Sequence, residues 1–313
     1  MKNRIIYIIS YFLFCCLILV SCGNEEKYKA IEIENTVNVS EGIIKRFLFE
    51  SQYVDARNID VWLPKDYKTD KKYAVLYMND GQMLFDATDS WNSNEWMVDE
   101  TISRLINKDS IQDVIVVGIF NNGNKRHTEY FPQKAIEYID EPQKSNFLSL
   151  MPEGPIADNY LKFVVNELKP FIDKTFSTYS AQDYTFIGGS SMGGLISFYA
   201  LCEYPDVFGG AMCMSTHWIG GYDHNKEIPK ALNQYLTEKL PSPEKHKIYF
   251  DYGTVGLDAN YPEFQEIVDE TMKTKNYKSD HWITLKFEGD DHNEKCWAAR
   301  LSQPLTFLLE KRK

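Results

Sequence analysis

The chain has 313 residues, 43% of them hydrophobic and 25% charged, with a formal net charge of −11. That surplus of carboxylates excludes a basic nucleic-acid-binding surface and disfavours anionic polymers as ligands. The length suits an N-terminal extension followed by one large domain of about 270 residues.

At the start, Lys2 and Arg4 precede an apolar run from Ile5 to Val20 that ends at Ser21-Cys22 rather than at a basic flank. The run is short for a spanning helix, and it stops at a small residue before a cysteine. These residues resemble a bacterial lipoprotein signal peptide over 1–21. The resemblance implies cleavage before Cys22, a lipid on that residue, and a protein held in the cell envelope by its membrane anchor. Residues 22–42 are then the lipidated N-terminus and a polar tether, and residues 43–313 the folded domain, with a start of the folded body near Ile31 open as the alternative. Removing 1–21 discards two positive charges and no acidic ones, so −11 becomes −13. Three cysteines, Cys202, Cys213 and Cys296, lie in the body. With no C-x-x-C and no His/Cys cluster at metal spacing, they predict free thiols and no metal site.

Along the body, β-rich runs at 43–50, 57–64, 73–78, 113–119, 184–188, 210–215, 247–253 and 282–288 alternate with helical patterns at 95–107, 158–174, 192–203, 262–275 and 294–310. The first two runs alternate polar and apolar residues, which suits an antiparallel edge; the later ones are continuously apolar, which suits buried parallel strands. The expected architecture is α/β: a doubly wound, mostly parallel sheet of about eight strands flanked by helices, with its ligand site at the carboxyl ends of the strands. The connection from Asn121 to Pro155 is longer than a turn needs and is expected to wall that site.

Residues 184–194 read YTFIGGSSMGG, an apolar run ending in G-x-S-x-G and continuing into a helical pattern. That is the layout of a nucleophile elbow with Ser191 at its apex: glycines two residues to either side leave room for a strained backbone and an exposed hydroxyl. A serine hydroxyl needs a base, and the base an orienting acid, in the chain order Ser, acid, His. His281 abuts the wrong end of the last strand. His292, in the loop after it, is the expected base. Asp258, in the loop after 247–253, is the preferred acid; Asp251, within that strand, stays open as the alternative. Asp291 with Glu294 fits a capping box for the last helix. The oxyanion donors are expected to be the backbone N–H groups of Met192, directly after the nucleophile, and of Gln82, in the loop NDGQ after 73–78.

With GGSSMGG around Ser191, YMNDGQMLF, RHTEYFP at 126–132, and His292 followed by Trp297 and Arg300, the chain resembles the putative-esterase family of α/β-hydrolases over roughly residues 45–310. That family includes feruloyl and acetyl-xylan esterases and siderophore-ester hydrolases. The resemblance implies an α/β-hydrolase fold, a carboxylic ester hydrolase and no metal or organic cofactor. It also places Arg126, Glu129 and Tyr130 in the loop beside the pocket, with Arg126 and Tyr130 as substrate-binding residues and a salt-bridged loop anchor as the open alternative. Asp80 stands where many relatives have a histidine before the oxyanion glycine. His217 and Trp218, after strand 210–215, are expected to line the acyl or alcohol pocket. The expected function is an extracytoplasmic serine esterase acting through an acyl-enzyme on acyl groups carried by carbohydrate. A catecholate-trilactone siderophore esterase, an acyltransferase and a non-catalytic surface binding lipoprotein remain open as alternatives.

Overall fold

A computed structural model describes residues 28–151, 153–221 and 224–311. The signal segment, Cys22 and the first residues of the expected tether lie outside the described residues.

Three strands, β1 (Lys29–Ile33), β2 (Ile43–Glu50) and β3 (Arg57–Leu63), form an antiparallel edge. They are followed by β4 (Ala74–Asn79), β5 (Val114–Ile119), β6 (Thr185–Ser190), β7 (Gly210–Met214), β8 (Lys247–Gly253) and β9 (Trp282–Phe287), all mutually parallel. The sheet order is β1-β2-β3-β5-β4-β6-β7-β8-β9, with β3 antiparallel to β5. The helices are α1 (Val98–Asn107), α2 (Arg126–Tyr130), α3 (Gln143–Ser149), α4 (Ala157–Phe163), α5 (Lys169–Thr175), α6 (Met192–Glu203), α7 (Glu227–Lys239), α8 (Pro262–Thr274), α9 (Glu294–Arg300) and α10 (Ser302–Leu308). This is the α/β-hydrolase fold.

The sheet separates two cores because strand side chains alternate. On β4, Val75 and Tyr77 enter the core shared with α4 to α8, whereas Ala74, Leu76 and Met78 enter the core shared with α1, α9 and α10. Parallel strands covered on both faces leave the active chemistry to the loops at their carboxyl ends.

The structure departs from expectation at several places. The sheet has nine strands, because residues 29–33, expected in the tether, pair with β2 along their whole length. The segment that follows is also fastened: the Asn38 N–H donates to Asp86 (2.8 Å) and the Ser40 N–H to Asp99 (2.7 Å). The folded body therefore begins near Ile31, the earlier of the two expected starts, and not at residue 43. The pattern at 158–174 is α4 and α5 joined through a π-helical turn, Val164–Leu168. The pattern at 294–310 breaks at Leu301, since Pro304 has no N–H to give the carbonyl four residues earlier. The apolar residues Ile228, Ala231, Leu232, Tyr235 and Leu236, at helical spacing, form α7, an element not anticipated. The connection 121–155 carries α2 and α3.

Candidate active site

At the end of β6 the backbone turns through Ser191 with φ 56° and ψ −123°, a conformation costly for a residue with a Cβ. It is held from both sides. The Ser191 N–H donates to the Met214 carbonyl (2.9 Å), and the Ser191 carbonyl accepts from the N–H groups of Gly194 (3.0 Å) and His217 (3.2 Å). The glycine spacing has a direct cause: a Cβ on Gly189 would lie 3.0 Å from the Gly193 backbone, so strand and helix cross here only without side chains. Asn79, at the end of β4, locks the crossing by donating to the Gly188 carbonyl (3.1 Å) and to the Ser197 hydroxyl (3.0 Å) while accepting from the Tyr160 hydroxyl (2.6 Å). From Thr185 to Cys202 every residue is buried except Ser191. Met192 follows as the first residue of α6, whose opening N–H groups have no partner within the helix.

Two further loops bring Asp258 and His292 together. His292 Nδ1 lies 2.5 Å from Asp258 Oδ1, and the carboxylate is fully buried. The other oxygen, Oδ2, accepts from the Ser215 hydroxyl (2.6 Å) and the Gly253 N–H (2.6 Å). Ser215, itself at φ 41°, accepts in turn from Trp297 Nε1 (3.0 Å) and Arg300 Nη2 (2.7 Å), so its one proton is committed to Asp258. Burial alone would raise the Asp258 carboxyl, but the bonds from His292, Ser215 and Gly253 outweigh it and hold it below the ordinary value. Asp251 is engaged elsewhere, accepting from Arg300 (3.0 Å), Tyr249 (2.9 Å) and the Ser215 N–H (3.0 Å). Burial raises its pKa despite Arg300.

A second histidine lies close by. His217 Nε2 is 2.9 Å from the Gly221 carbonyl, which can only accept, so Nε2 carries the proton and Nδ1 accepts from the Tyr261 hydroxyl (2.7 Å). Both ring nitrogens are occupied, and burial pushes its pKa down to about 4. His292, bonded through Nδ1 to a carboxylate, keeps Nε2 as an acceptor. The Tyr261 ring, 5.8 Å from that of His292, links the two histidines.

The loop after β4 is built around Asp80, which sits in the left-handed region (φ 60°, ψ 46°) before the 3-10 turn Gly81–Met83. Its carboxylate takes a forked pair of bonds from Arg126 (2.7 and 2.7 Å) and a third from Asn121 (2.8 Å). Gly81 packs so tightly on β5 that a Cβ there would lie 2.5 Å from the Gly118 carbonyl carbon. Gln82 therefore rides on a loop fixed from below and from the side, and its side-chain oxygen accepts from the Asn121 N–H (3.2 Å).

These contacts correct several expectations. Arg126 spends Nε and Nη2 on Asp80, so it shapes the loop rather than standing open to a ligand. Tyr130 is fully buried, its hydroxyl accepting from the Asp80 N–H (3.3 Å). Trp218 is 1% exposed and donates to Gln265 (2.9 Å) inside the core. Neither presents surface to a substrate. Glu129 forms a buried fork with Arg57 (2.6 and 2.9 Å) that anchors α2. His217 supports the elbow through its backbone. The cap of α9 is Asn293, which accepts from the Cys296 N–H (3.1 Å), and not Asp291. Sequence reasoning gave no role to Ser215, Asn79 and Asn121: Asn79 lies within the YMNDGQMLF segment but is not singled out by it, and Ser215 and Asn121 carry no motif.

The protein family described as "Putative esterase" matches residues 52–308. The uncharacterized protein YjcH of Bacillus subtilis (strain 168) is 24% identical over 270 residues, 85% of this chain and 96% of that protein. The enterobactin esterase FES from Shigella flexneri, solved with 2,3-Di-hydroxy-N-benzoyl-glycine, superposes with a TM-score of 0.62 at 16% identity, covering 87% of this chain. This chain spans 60% of the length of that structure. A CE1 ferulic acid esterase from Anaeromyces mucronatus, in complex with ferulic acid, gives a TM-score of 0.58 at 18% identity, covering 91% of this chain and 95% of that one. At these identities the likeness to both solved structures is one of fold.

Proposed function

The chain belongs to the putative esterase family and is a carboxylic ester hydrolase, and on that premise we propose that it is an extracytoplasmic serine esterase working through an acyl-enzyme. The observation that carries the reading is the strained Ser191, the one residue left unburied between Thr185 and Cys202, in a fold that also bonds His292 to Asp258 at the carboxyl ends of the neighbouring strands. In this reading the Ser191 hydroxyl attacks the ester carbonyl carbon and its proton passes to His292 Nε2. Asp258 holds the Nδ1 proton and stabilises the imidazolium. The N–H groups of Met192 and Gln82 receive the oxyanion. Collapse breaks the bond to the alcohol, which leaves with the proton from His292, and water then repeats the sequence to free the acid and Ser191.

The substrate class in this reading is an acyl group carried on carbohydrate. The likeness to a ferulic acid esterase and the acidic overall charge, which disfavours polyanions, support it. The location rests on the resemblance of residues 1–22 to a lipoprotein signal, with Cys22 as the lipidated residue.

Burst kinetics with p-nitrophenyl acetate test the mechanism. The expected result is a burst of one nitrophenolate per chain followed by slower turnover, with kcat reduced about 10⁶-fold in Ser191→Ala and in His292→Ala. Activity that survives Ser191→Ala would refute the assignment.

A further inference from the structure

The esterase reading leaves one conspicuous side chain without a role. Trp91 is 81% exposed, the most exposed of the large apolar side chains among the described residues. Its indole meets no hydrogen-bond, ring or cation partner among those residues. Apolar surface of that size kept in water is unfavourable unless something covers it.

The loop that presents the ring is nonetheless fastened on both sides. Before Trp91, the Asp86 carboxylate accepts from the Thr88 N–H (2.8 Å) and hydroxyl (2.7 Å), and Asp89 accepts from Arg46 (2.5 Å). After it, Asn92 Nδ2 donates to Glu294 (2.8 Å), and Asn92 Oδ1 accepts from the Asn94 N–H (3.1 Å). Backbone order has been secured while the ring has been left in solvent, which is the arrangement of a preorganised contact rather than of a loose loop.

The tie to Glu294 also gives the location, since Glu294 opens α9 two residues beyond His292. Trp91 therefore stands at the rim of the candidate active site. On the other side of His292 the loop from β8 to Asp258 exposes Val255 (43%) and Leu257 (36%) and packs through Gly256 against Asp291.

The chemistry of the rim selects its occupant. Residues 87–96 contain Asp89 and Glu95 and no lysine or arginine, so the loop itself offers no cation to an anionic group such as a free aryl acid; of the cations around it, Arg46 is spent on Asp89, and Arg104 and Lys295 border the far side of the loop at Ser93 to Glu95. Beside the indole, Asn92 and Ser93 are exposed, and amides and hydroxyls there match the hydroxyl edge of a sugar as the ring face matches its C–H face. A group outside the catalytic groove belongs to the part of the substrate away from the reacting carbonyl. We propose that Trp91 is the platform of a saccharide subsite that takes a neutral pyranose ring from the alcohol portion of the ester. Its place in catalysis rests on the esterase reading; its ligand does not.

Isothermal titration of the purified protein with xylohexaose, cellohexaose and mannohexaose, each in turn, tests it. At least one hexaose is expected to bind, about ten-fold or more weaker in Trp91→Ala and partly restored in Trp91→Phe. Thermal melting of each variant checks the fold, which an exposed ring does not support. The proposal is overturned if none of the three binds the wild type, if Trp91→Ala binds equally well, or if the Trp91-dependent ligand is ferulic acid and not a hexaose. Absence of p-nitrophenyl acetate turnover with Trp91-dependent saccharide binding intact would sink the esterase reading and leave the subsite standing.

Discussion

Two buried carboxylates stand at the carboxyl ends of the strands, on opposite sides of Ser191, and the molecule uses them differently. Asp80, after β4, is clasped by Arg126, a permanent cation whose charged form Asp80 stabilises further against burial. Asp258, after β8, is bonded to His292, a ring that can gain and lose a proton. Both have secondary donors: Asn121 for Asp80, and Ser215 with the Gly253 N–H for Asp258. A carboxylate paired with a fixed charge shapes a loop, whereas the same group paired with a titratable ring directs a proton. The difference lies in the partner, because the carboxyl chemistry is identical.

The sharpest way to break this comparison is Asp258→Asn. Ser215 and Gly253 both donate to Oδ2, so an amide placed there turns its oxygen toward them and its NH₂ toward His292. Nδ1 must then accept, the ring proton moves to Nε2, and the base can no longer take the proton of Ser191. The expected loss in kcat is about 10⁴-fold with KM little changed. A loss below about ten-fold in steady-state kinetics would show that Asp258 does not set the tautomer.

On the other side, Arg126→Met removes charge and fork together and leaves Asp80 buried with Asn121 alone. If Asp80 shapes the loop that carries the Gln82 N–H, kcat falls about 10²-fold, the order expected for losing one oxyanion donor. Arg126→Lys restores the charge without the fork and is expected to fall between the two. A rise in KM at constant kcat would instead return Arg126 to the substrate-binding role read from the sequence.

Ser215→Ala probes how the Asp258 side is supported. It takes away the acceptor of Trp297 Nε1 and one acceptor of Arg300, together with a donor to Asp258. Chemical denaturation should show a loss of roughly 1–3 kcal/mol. Because Gly253 and His292 still hold Asp258, kcat should fall only about ten-fold.

How much of this was legible in the chain follows from distance along it. The elbow is local: glycines two residues from Ser191 state the steric requirement outright, and apolar runs mark the buried strands. Chain order brought out Asp258 and His292, since few groups lie beyond the nucleophile. The role of Arg126 was not legible, because its partner is 46 residues away and an R-x-x-E-Y segment reads alike whether it clasps a ligand or a loop. Tyr130 and Trp218 misled for a related reason: an aromatic ring with a polar tip suits a pocket wall and a core equally well. Strand β1 resembled a tether because an edge strand carries charged residues that blunt its free side. Trp91 gave no signal, since only burial distinguishes a platform from a core ring.

A third carboxylate extends the comparison to a group with no cation at all. Asp99, fully buried at the start of α1, accepts the N–H groups of Ser40 (2.7 Å) and Glu41 (3.2 Å) on Oδ2, while Oδ1 meets no backbone or cationic donor. Burial, and then the neighbouring Glu100, push its carboxyl up to about 7. The native state thus holds this proton more tightly than the unfolded chain does. Its stabilising contribution is complete below the ordinary carboxyl value near 4 and is lost as pH rises through 7. Asp99→Asn keeps an oxygen for Ser40 and Glu41 and removes the titration. In melts across pH, the variant should exceed wild type by roughly 1–3 kcal/mol above pH 7 and lose that advantage below pH 4, with esterase activity unaltered. Equal stability of the two proteins at pH 8 would mean that burial and Glu100 do not raise the Asp99 carboxyl, and that Asp99 is held by its backbone donors as firmly as Asp80 is by Arg126.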